Sequence, residues 1–153
     1  MLAREAGGER LPGVSPLEVA CVTNLLNRVL LAMDRGDVAT FASCFAAAGR
    51  CEVAISGAVA EGHEALAALC KGIHTKFCAG PDMFCRHWEG NICVSEGSAG
   101  GLTNTSYWKA LNGGEVVSTG IHNDTLVNIN GEWKIAERVI THTWTKANGH
   151  IIS

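Results

Sequence analysis

Two long extended segments in the C-terminal third, residues 116–129 and 132–145, constrain the fold most. The Asn-Gly dipeptide at 130–131 joins them. Asn-Gly is the strongest two-residue signal for a β-hairpin, because a type I′ turn needs a positive φ at both central positions. Successive strand side chains point to opposite faces, so His122 and Asp124 share one face. A sheet of this length must bury one face, and the upstream segments are the candidates to cover it.

The first half of the chain carries the periodicity of helices. Apolar residues recur at three- and four-residue spacing between Leu17 and Met33. Ser15 and Glu18 form a capping-box pattern, and Pro16 falls at the first helical position, where its missing N–H costs nothing. The same reasoning predicts helices at 17–33, 38–47 and 63–77, with a short strand at 51–55.

Everything after the third helix has the pattern of long strands. We predict strands at 83–94 and 102–111 before the two segments of the hairpin. Helices followed by a run of strands favour an α+β fold, with helices on the concave face of a strongly bent, mostly antiparallel sheet. The boundaries expected are a flexible N-terminal arm at 1–15, a single domain at 16–147 and a C-terminal tail at 148–153.

Composition excludes several classes of protein. Charged residues make up 18% of the 153 residues and apolar residues 47%, which indicates a compact domain. The net charge is -3 and no block of Lys or Arg occurs, so we expect no nucleic acid or membrane partner. We see neither an apolar run long enough to span a bilayer nor a secretory signal, and therefore expect a cytoplasmic protein.

The seven cysteines follow no metal-binding spacing. No C-x-x-C occurs and the number is odd. We therefore expect the cysteines to act as small buried apolar residues, with no metal site and no cofactor.

Five short motifs follow one another along residues 17–145. They are Met33-Asp34-Arg35-Gly36-Asp37; Phe41-x-x-x-Phe45; Glu61-Gly62-His63-Glu64-Ala65; Arg86-His87-x-x-x-Asn91; and Gly120-x-His122-x-Asp124 followed by Asn130-Gly131-Glu132-Trp133-Lys134-Ile135. In order and spacing they resemble the SnoaL-like branch of the nuclear transport factor 2-like superfamily. The resemblance implies a cone-shaped, curved, mixed or antiparallel sheet wrapped around three N-terminal helices, but the fold alone does not give a function.

The resemblance also implies a site. In scytalone dehydratase, hexachlorocyclohexane dehydrochlorinase and bile-acid 7α-dehydratase, an Asp at the end of the first helix and a His on the first long strand form the catalytic dyad of a cofactor-free elimination. The matching residues are Asp34 and His87. His122 falls where scytalone dehydratase has a substrate-binding Asn, and Arg138 falls near a pocket Arg of the bile-acid enzyme. The chain departs from scytalone dehydratase at Met33, which replaces a Tyr, and in the short strand, which has no Tyr.

A carboxylate paired with a histidine suits proton transfer at carbon. Histidine takes a proton near neutral pH, and a carboxylate on one ring nitrogen fixes the tautomer and stabilises the imidazolium. Asp34 is also a common residue in a turn between helices, and a lone strand histidine is often structural. The expected pocket residues are His122, Asp124, Tyr107, Trp108, Arg138, Met33, Phe41 and Phe45; Asp124 has the alternative of tying down Arg138.

Two functions remain open at this point. The first is a cofactor-independent lyase or isomerase acting on a small hydrophobic, cyclic substrate through Asp34 and His87. The second is a non-catalytic ligand-binding module, or a scaffold like the β-subunit of an aromatic-ring dioxygenase. The intact dyad favours the first, and the missing tyrosines favour the second. Because Ile121, Val127 and Ile129 give the strand an apolar second face, we also expect a homo-oligomer, either a trimer or a dimer.

Overall fold

Three helices pack against a curved, unclosed sheet in the computed structural model, which describes residues 13–79 and 85–146 and the backbone of 150–151. The helices are α1 (Pro16–Arg35), α2 (Val38–Ser43) and α3 (Gly62–Phe77). The strands are β1 (Phe45–Val53), β2 (Ala58–Glu61), β3 (Cys85–Glu96), β4 (Leu102–Asn112), β5 (Glu115–Ile129), β6 (Glu132–Thr145) and β7 (His150–Ile151).

The strand order β2-β1-β6-β5-β4-β3 makes the sheet mixed, because β1 runs parallel to β6 while the other pairs are antiparallel. The predicted α+β fold, with a curved mixed sheet and three helices, is confirmed. The β5–β6 hairpin turns at Asn130 (φ 53°) and Gly131 (φ 88°), as a type I′ turn requires. The β4–β5 hairpin turns at Gly113 and Gly114, both with positive φ.

The predicted bounds of the second helix and the first strand were wrong. Helix α2 ends at Ser43 instead of residue 47, and β1 is longer than the predicted strand at 51–55. The cause is non-local: the Ile135 N–H donates to the Cys44 carbonyl at 3.0 Å, and the strand that follows pairs with β6. Residues 150–151, assigned to the tail, pair with β6 as β7. The expected strand start at residue 83 lies outside the described residues, as does most of the expected N-terminal arm.

Helix α1 forms as its sequence predicts. The Ser15 hydroxyl accepts from the Glu18 N–H, the Glu18 carboxylate accepts from the Ser15 N–H, and Gly36 closes the helix at φ 69°. Its 20 residues, with mean hydropathy 1.2, satisfy the length and composition of a membrane span, which corrects the expectation that no run reaches this length. A core helix passes the same test, and the inward stripe, with Val22 and Leu26 fully buried, packs in the protein core.

The core lies between the helices and one end of the concave face of the sheet, where Leu102, Leu126 and Ile135 are buried. Five of the seven cysteines are buried, but Cys21 and Cys93 are exposed. The expectation of buried thiols is therefore wrong for these two. Trp133 is partly buried and packs against the core.

Candidate active site

Strands β3 to β6 align their inward side chains in rows across the sheet. From the core outward the rows are Leu102–Leu126–Ile135, Asn104–Asp124–Arg138, Ser106–His122–Ile140, Glu89–Trp108–Gly120–His142 and His87–Ala110–Ser118. The first row is apolar and belongs to the core. The rows after it carry the charged and aromatic groups of the site.

Asp34 holds His87 at two points. Its Oδ1 lies 2.6 Å from the ring Nδ1, and its Oδ2 accepts the His87 backbone N–H at 3.0 Å. Both side chains are nearly buried, with 5% of Asp34 and 11% of His87 exposed. The last turn of α1 brings the carboxylate to β3. The contact between Asp34 Oδ1 and His87 Nδ1 places the Nδ1 proton in the hydrogen bond between the two side chains. No described residue hydrogen-bonds the other ring nitrogen, Nε2, and His87 lines a cavity.

The surroundings of His87 favour its charged form. Burial acts to lower the pKa of His87, but the hydrogen bonds that its ring makes to Asp34 and Cys85 outweigh burial and raise the pKa to about 9. The Cys85 sulfur lies 3.8 Å from His87 Nδ1. A hydrogen bond from Cys78 lowers the pKa of the Cys85 thiol, and the contact with His87 lowers it further, whereas burial acts to raise it. The imidazolium is therefore the predominant form at neutral pH.

Glu89 and His122 form a second carboxylate–histidine pair. The Glu89 side chain is fully buried, and its Oε1 lies 3.0 Å from His122 Nδ1 while accepting the Ser106 hydroxyl. The other oxygen, Oε2, is buried without a hydrogen-bond partner among the described residues. Burial acts to raise the pKa of Glu89, but His122 and Arg138 lower it to about 2. Glu89 is thus an ionised acceptor.

Asp124 and Arg138 form a buried ion pair in the neighbouring row, on the core side of His122. Arg138 Nε and one terminal nitrogen donate to the two Asp124 oxygens at 2.7 and 3.0 Å, and Asn104 donates to Oδ2 at 2.9 Å. Neither residue lines the cavity, which corrects their assignment as substrate contacts. Buried charges are stable only when paired and hydrogen-bonded, and here each uses the other. The alternative reading, that Asp124 ties down Arg138, is the one observed.

A cavity of about 570 Å³ lies over the last rows of the sheet. Its polar side chains include His87, His122 and His142, and its apolar wall includes Met33 and Trp108. Helix α3 and strands β1 and β6 supply further apolar lining from Leu69, Ile73, Phe77, Val53 and Ile140. The lining is of the kind that suits a largely apolar ligand with a few polar anchors.

Trp108 lies at the centre of the three histidines. Its ring stacks on His122 at 5.7 Å between centroids, meets His142 edge-on at 4.9 Å and lies 6.4 Å from His87. Gly120, its neighbour on β5, leaves room: a Cβ there would lie 2.7 Å from the indole ring. The Trp108 indole N–H is buried without a partner among the described residues.

Three predicted pocket residues lie elsewhere. Tyr107 is 58% exposed on the convex face, because neighbours on a strand point to opposite sides and Trp108 takes the inward one. Phe41 and Phe45 pack on each other at 5.4 Å in the core and do not line the cavity.

Sequence reasoning overlooked Glu89 and His142. Strand alternation put Glu89 on the face of His87, but a carboxylate without a visible partner carried no signal. His142 gained a partner only through the register that sets it opposite Gly120 and beside Trp108. Among the described residues, Asp34, Cys85 and His87 place potential metal-ligand atoms within 4.8 Å of one another, and these are the atoms that form the dyad.

The fold is that of the nuclear transport factor 2-like, or cystatin-like, α+β class. A SnoaL-like domain profile matches residues 17–139. The chain belongs to the SnoaL-like domain family, whose members include polyketide cyclases and dehydratases and whose domains bind small hydrophobic ligands.

Several solved structures share the fold. Aln2 from a Streptomyces species is 28% identical, with TM-score 0.74 over 84% of this chain and 93% of that one. ActVI-ORFA from Streptomyces coelicolor is 24% identical, with TM-score 0.71 over 80% and 95%. A candidate scytalone dehydratase from Novosphingobium aromaticivorans is 20% identical, with TM-score 0.71 over 90% of each chain. No curated protein sequence matches the chain.

Proposed function

We propose that the protein is a cofactor-independent lyase or isomerase that moves a proton on a small, hydrophobic, cyclic substrate through Asp34 and His87. The observation that supports this most is the two-point grip of Asp34 on His87, at 2.6 and 3.0 Å, on the wall of a cavity. A turn residue would need neither contact. The family adds support, because its members include dehydratases.

The proposed chemistry is abstraction of a proton from carbon next to a carbonyl. Neutral His87 takes the proton on Nε2, and Asp34 stabilises the resulting imidazolium through Nδ1. The carbonyl oxygen gains negative charge in this step. The buried indole N–H of Trp108 is a candidate donor to it. If a hydroxyl sits on the next carbon, its departure with a proton from solvent completes a dehydration.

Proton exchange in D₂O tests the proposal without knowledge of the natural substrate. We would follow by NMR the loss of α-proton signals from cyclic ketones, beginning with 2-tetralone, and the conversion of 3-hydroxycyclohexanone to cyclohexenone. Removing a general base costs on the order of a hundredfold to ten-thousandfold in rate. We expect a loss of that size in His87→Ala and a loss in Asp34→Asn, with folding retained.

His63→Gln is the matched control. His63 is an exposed histidine whose Nε2 lies 3.0 Å from the Phe45 carbonyl oxygen, and it does not line the cavity. This variant should exchange protons at the wild-type rate. Wild-type protein that binds the ketones without exchange above background would instead favour a ligand-binding module.

A further inference from the structure

We propose that His122, held by Glu89, is a fixed hydrogen-bond acceptor in the cavity and forms a subsite for a ligand hydroxyl group. The inference deepens the proposed function, on which it rests for the identification of the cavity as a substrate site. It assigns to the ligand a chemical class: a ring compound with an O–H donor on the side that faces His122.

The tautomer of His122 follows from its partner. Glu89 accepts from Ser106 with the same oxygen that contacts His122 Nδ1, and Arg138 lies 3.7 Å from that oxygen. A carboxylate in these surroundings is ionised and can only accept. His122 must therefore donate through Nδ1–H, so a neutral ring carries a bare lone pair on Nε2.

The Nε2 atom is the one left for the cavity. His122 lines the cavity, and no described residue hydrogen-bonds its Nε2. Trp108 stacks on the ring with an interplanar angle of 18° and fixes its plane. Burial and the charge of Arg138 lower the pKa of His122 to about 4, although Glu89 acts to raise it. The ring is therefore neutral at pH 7.

His122 and His87 lie at different places in the cavity. Their rings lie 5.7 and 6.4 Å from the Trp108 centroid, on different strands and in different rows of the sheet. A ligand hydroxyl bound to His122 therefore does not occupy His87 Nε2, which the proposed function needs for proton transfer.

A purely structural role for Glu89 and His122 makes a different prediction. In that case the two residues satisfy each other, and the cavity is indifferent to a ligand hydroxyl. The unpartnered Glu89 Oε2 shows that burial of the carboxylate is not fully compensated by the described residues. An unsatisfied buried oxygen lowers the stability of the fold, so a purely structural role does not explain this pair.

The first test reads the tautomer directly. In wild-type protein labelled with ¹⁵N-histidine, at pH 7, His122 should show a protonated Nδ1 and an unprotonated Nε2, and His87 should be protonated on both. In Glu89→Gln the new amide can donate to Nδ1, and the fraction of His122 protonated on Nε2 should rise. A charged His122, or an Nε2–H tautomer in the wild type, overturns the proposal.

The second test is ligand preference, measured with 2-naphthol and 2-methoxynaphthalene. One hydrogen bond to His122 should make 2-naphthol bind about tenfold more tightly and should shift the His122 Nε2 resonance. His122→Phe should remove the preference. His63→Gln, which changes a histidine outside the cavity, should retain it.

Equal binding of the two probes, binding of neither, or a preference that survives in His122→Phe overturns the subsite. These measurements need no turnover. If the naphthol preference holds while cyclic ketones show no proton exchange, the proposed function fails and the acceptor subsite stands.

Discussion

Three histidines surround Trp108, and their environments set their charges apart. Asp34 and Cys85 keep His87 charged, whereas burial and Arg138 keep His122 neutral. Burial also lowers the pKa of His142, whose Nδ1 has no partner among the described residues. Titratable groups pushed apart in this way are typical of sites that divide acid and base roles.

The raised pKa of His87 predicts the pH dependence of proton exchange. Only neutral His87 can act as a base, so kcat/KM should rise with pH and level off near pH 9. Asp34→Asn removes a group that raises the pKa, so the rise should move to lower pH and reach a lower plateau. The measurement is the exchange rate of 2-tetralone from pH 6 to 10. A rate that falls over this range contradicts a base role for His87.

At the scale of single residues, the sequence could identify the Asp34–His87 pair only through its resemblance to known families. The two residues are far apart in the chain, and no local pattern joins them. Tyr107 shows the limit of the method: alternation allows Tyr107 or Trp108 to face inward, but not both, and local pattern does not say which. Glu89 became visible only when the strand register placed Ser106 and His122 beside it.

At the scale of elements, the β5–β6 pair depends on Gly120. The register between these strands shifts at this residue, and the chain passes close to the Thr141 carbonyl while Trp108 lies over the gap. The side chain that organises the cavity therefore needs a glycine on the neighbouring strand.

Gly120→Ala should destabilise the protein strongly. The new Cβ would overlap the Thr141 carbonyl oxygen and lie 2.7 Å from the indole, and backbone cannot yield as a side chain does. We expect a loss of about 3 kcal/mol, at the upper end for an added methyl group in a packed site. Thermal unfolding measures it, with Gly90→Ala as control, because a Cβ at Gly90 meets nothing within 4 Å. Equal stability of the two variants would contradict this account.

Element boundaries were predictable where their causes are local. The capping box and Gly36 set both ends of α1, and Asn130-Gly131 sets the β5–β6 turn. The end of α2 was not predictable, because Cys44 and Phe45 leave the helix to join β6, a strand formed by residues far along the chain.

At the scale of the molecule, no described residue covers the part of the convex face around Trp88 and Tyr107. Trp88 and Tyr107 are 60% and 58% exposed there, and Lys109 lies 4.8 Å from the centre of the Trp88 ring. These residues and Ile121 line a shallow recess. Exposed aromatic patches of this kind are typical of interfaces.

We predict that this face mediates a homo-oligomer. Light scattering coupled to size exclusion at micromolar concentration should report a dimer or a trimer for the wild type. Replacing both Trp88 and Tyr107 with lysine should give a monomer that remains folded. Leu17→Lys, at a 72% exposed position on α1, should leave assembly unchanged. A monomeric wild type contradicts the prediction.

The parallel pairing of β1 with β6 also has a consequence for biosynthesis. Arg50 and Glu137, which pair across these strands, are 87 residues apart. During synthesis, the apolar stripe of α1 and the unpaired edge of β1 are therefore exposed for most of translation, until β6 leaves the ribosome. Completion of the domain must wait for the last strands, so shielding by a chaperone in that interval would act on the N-terminal half.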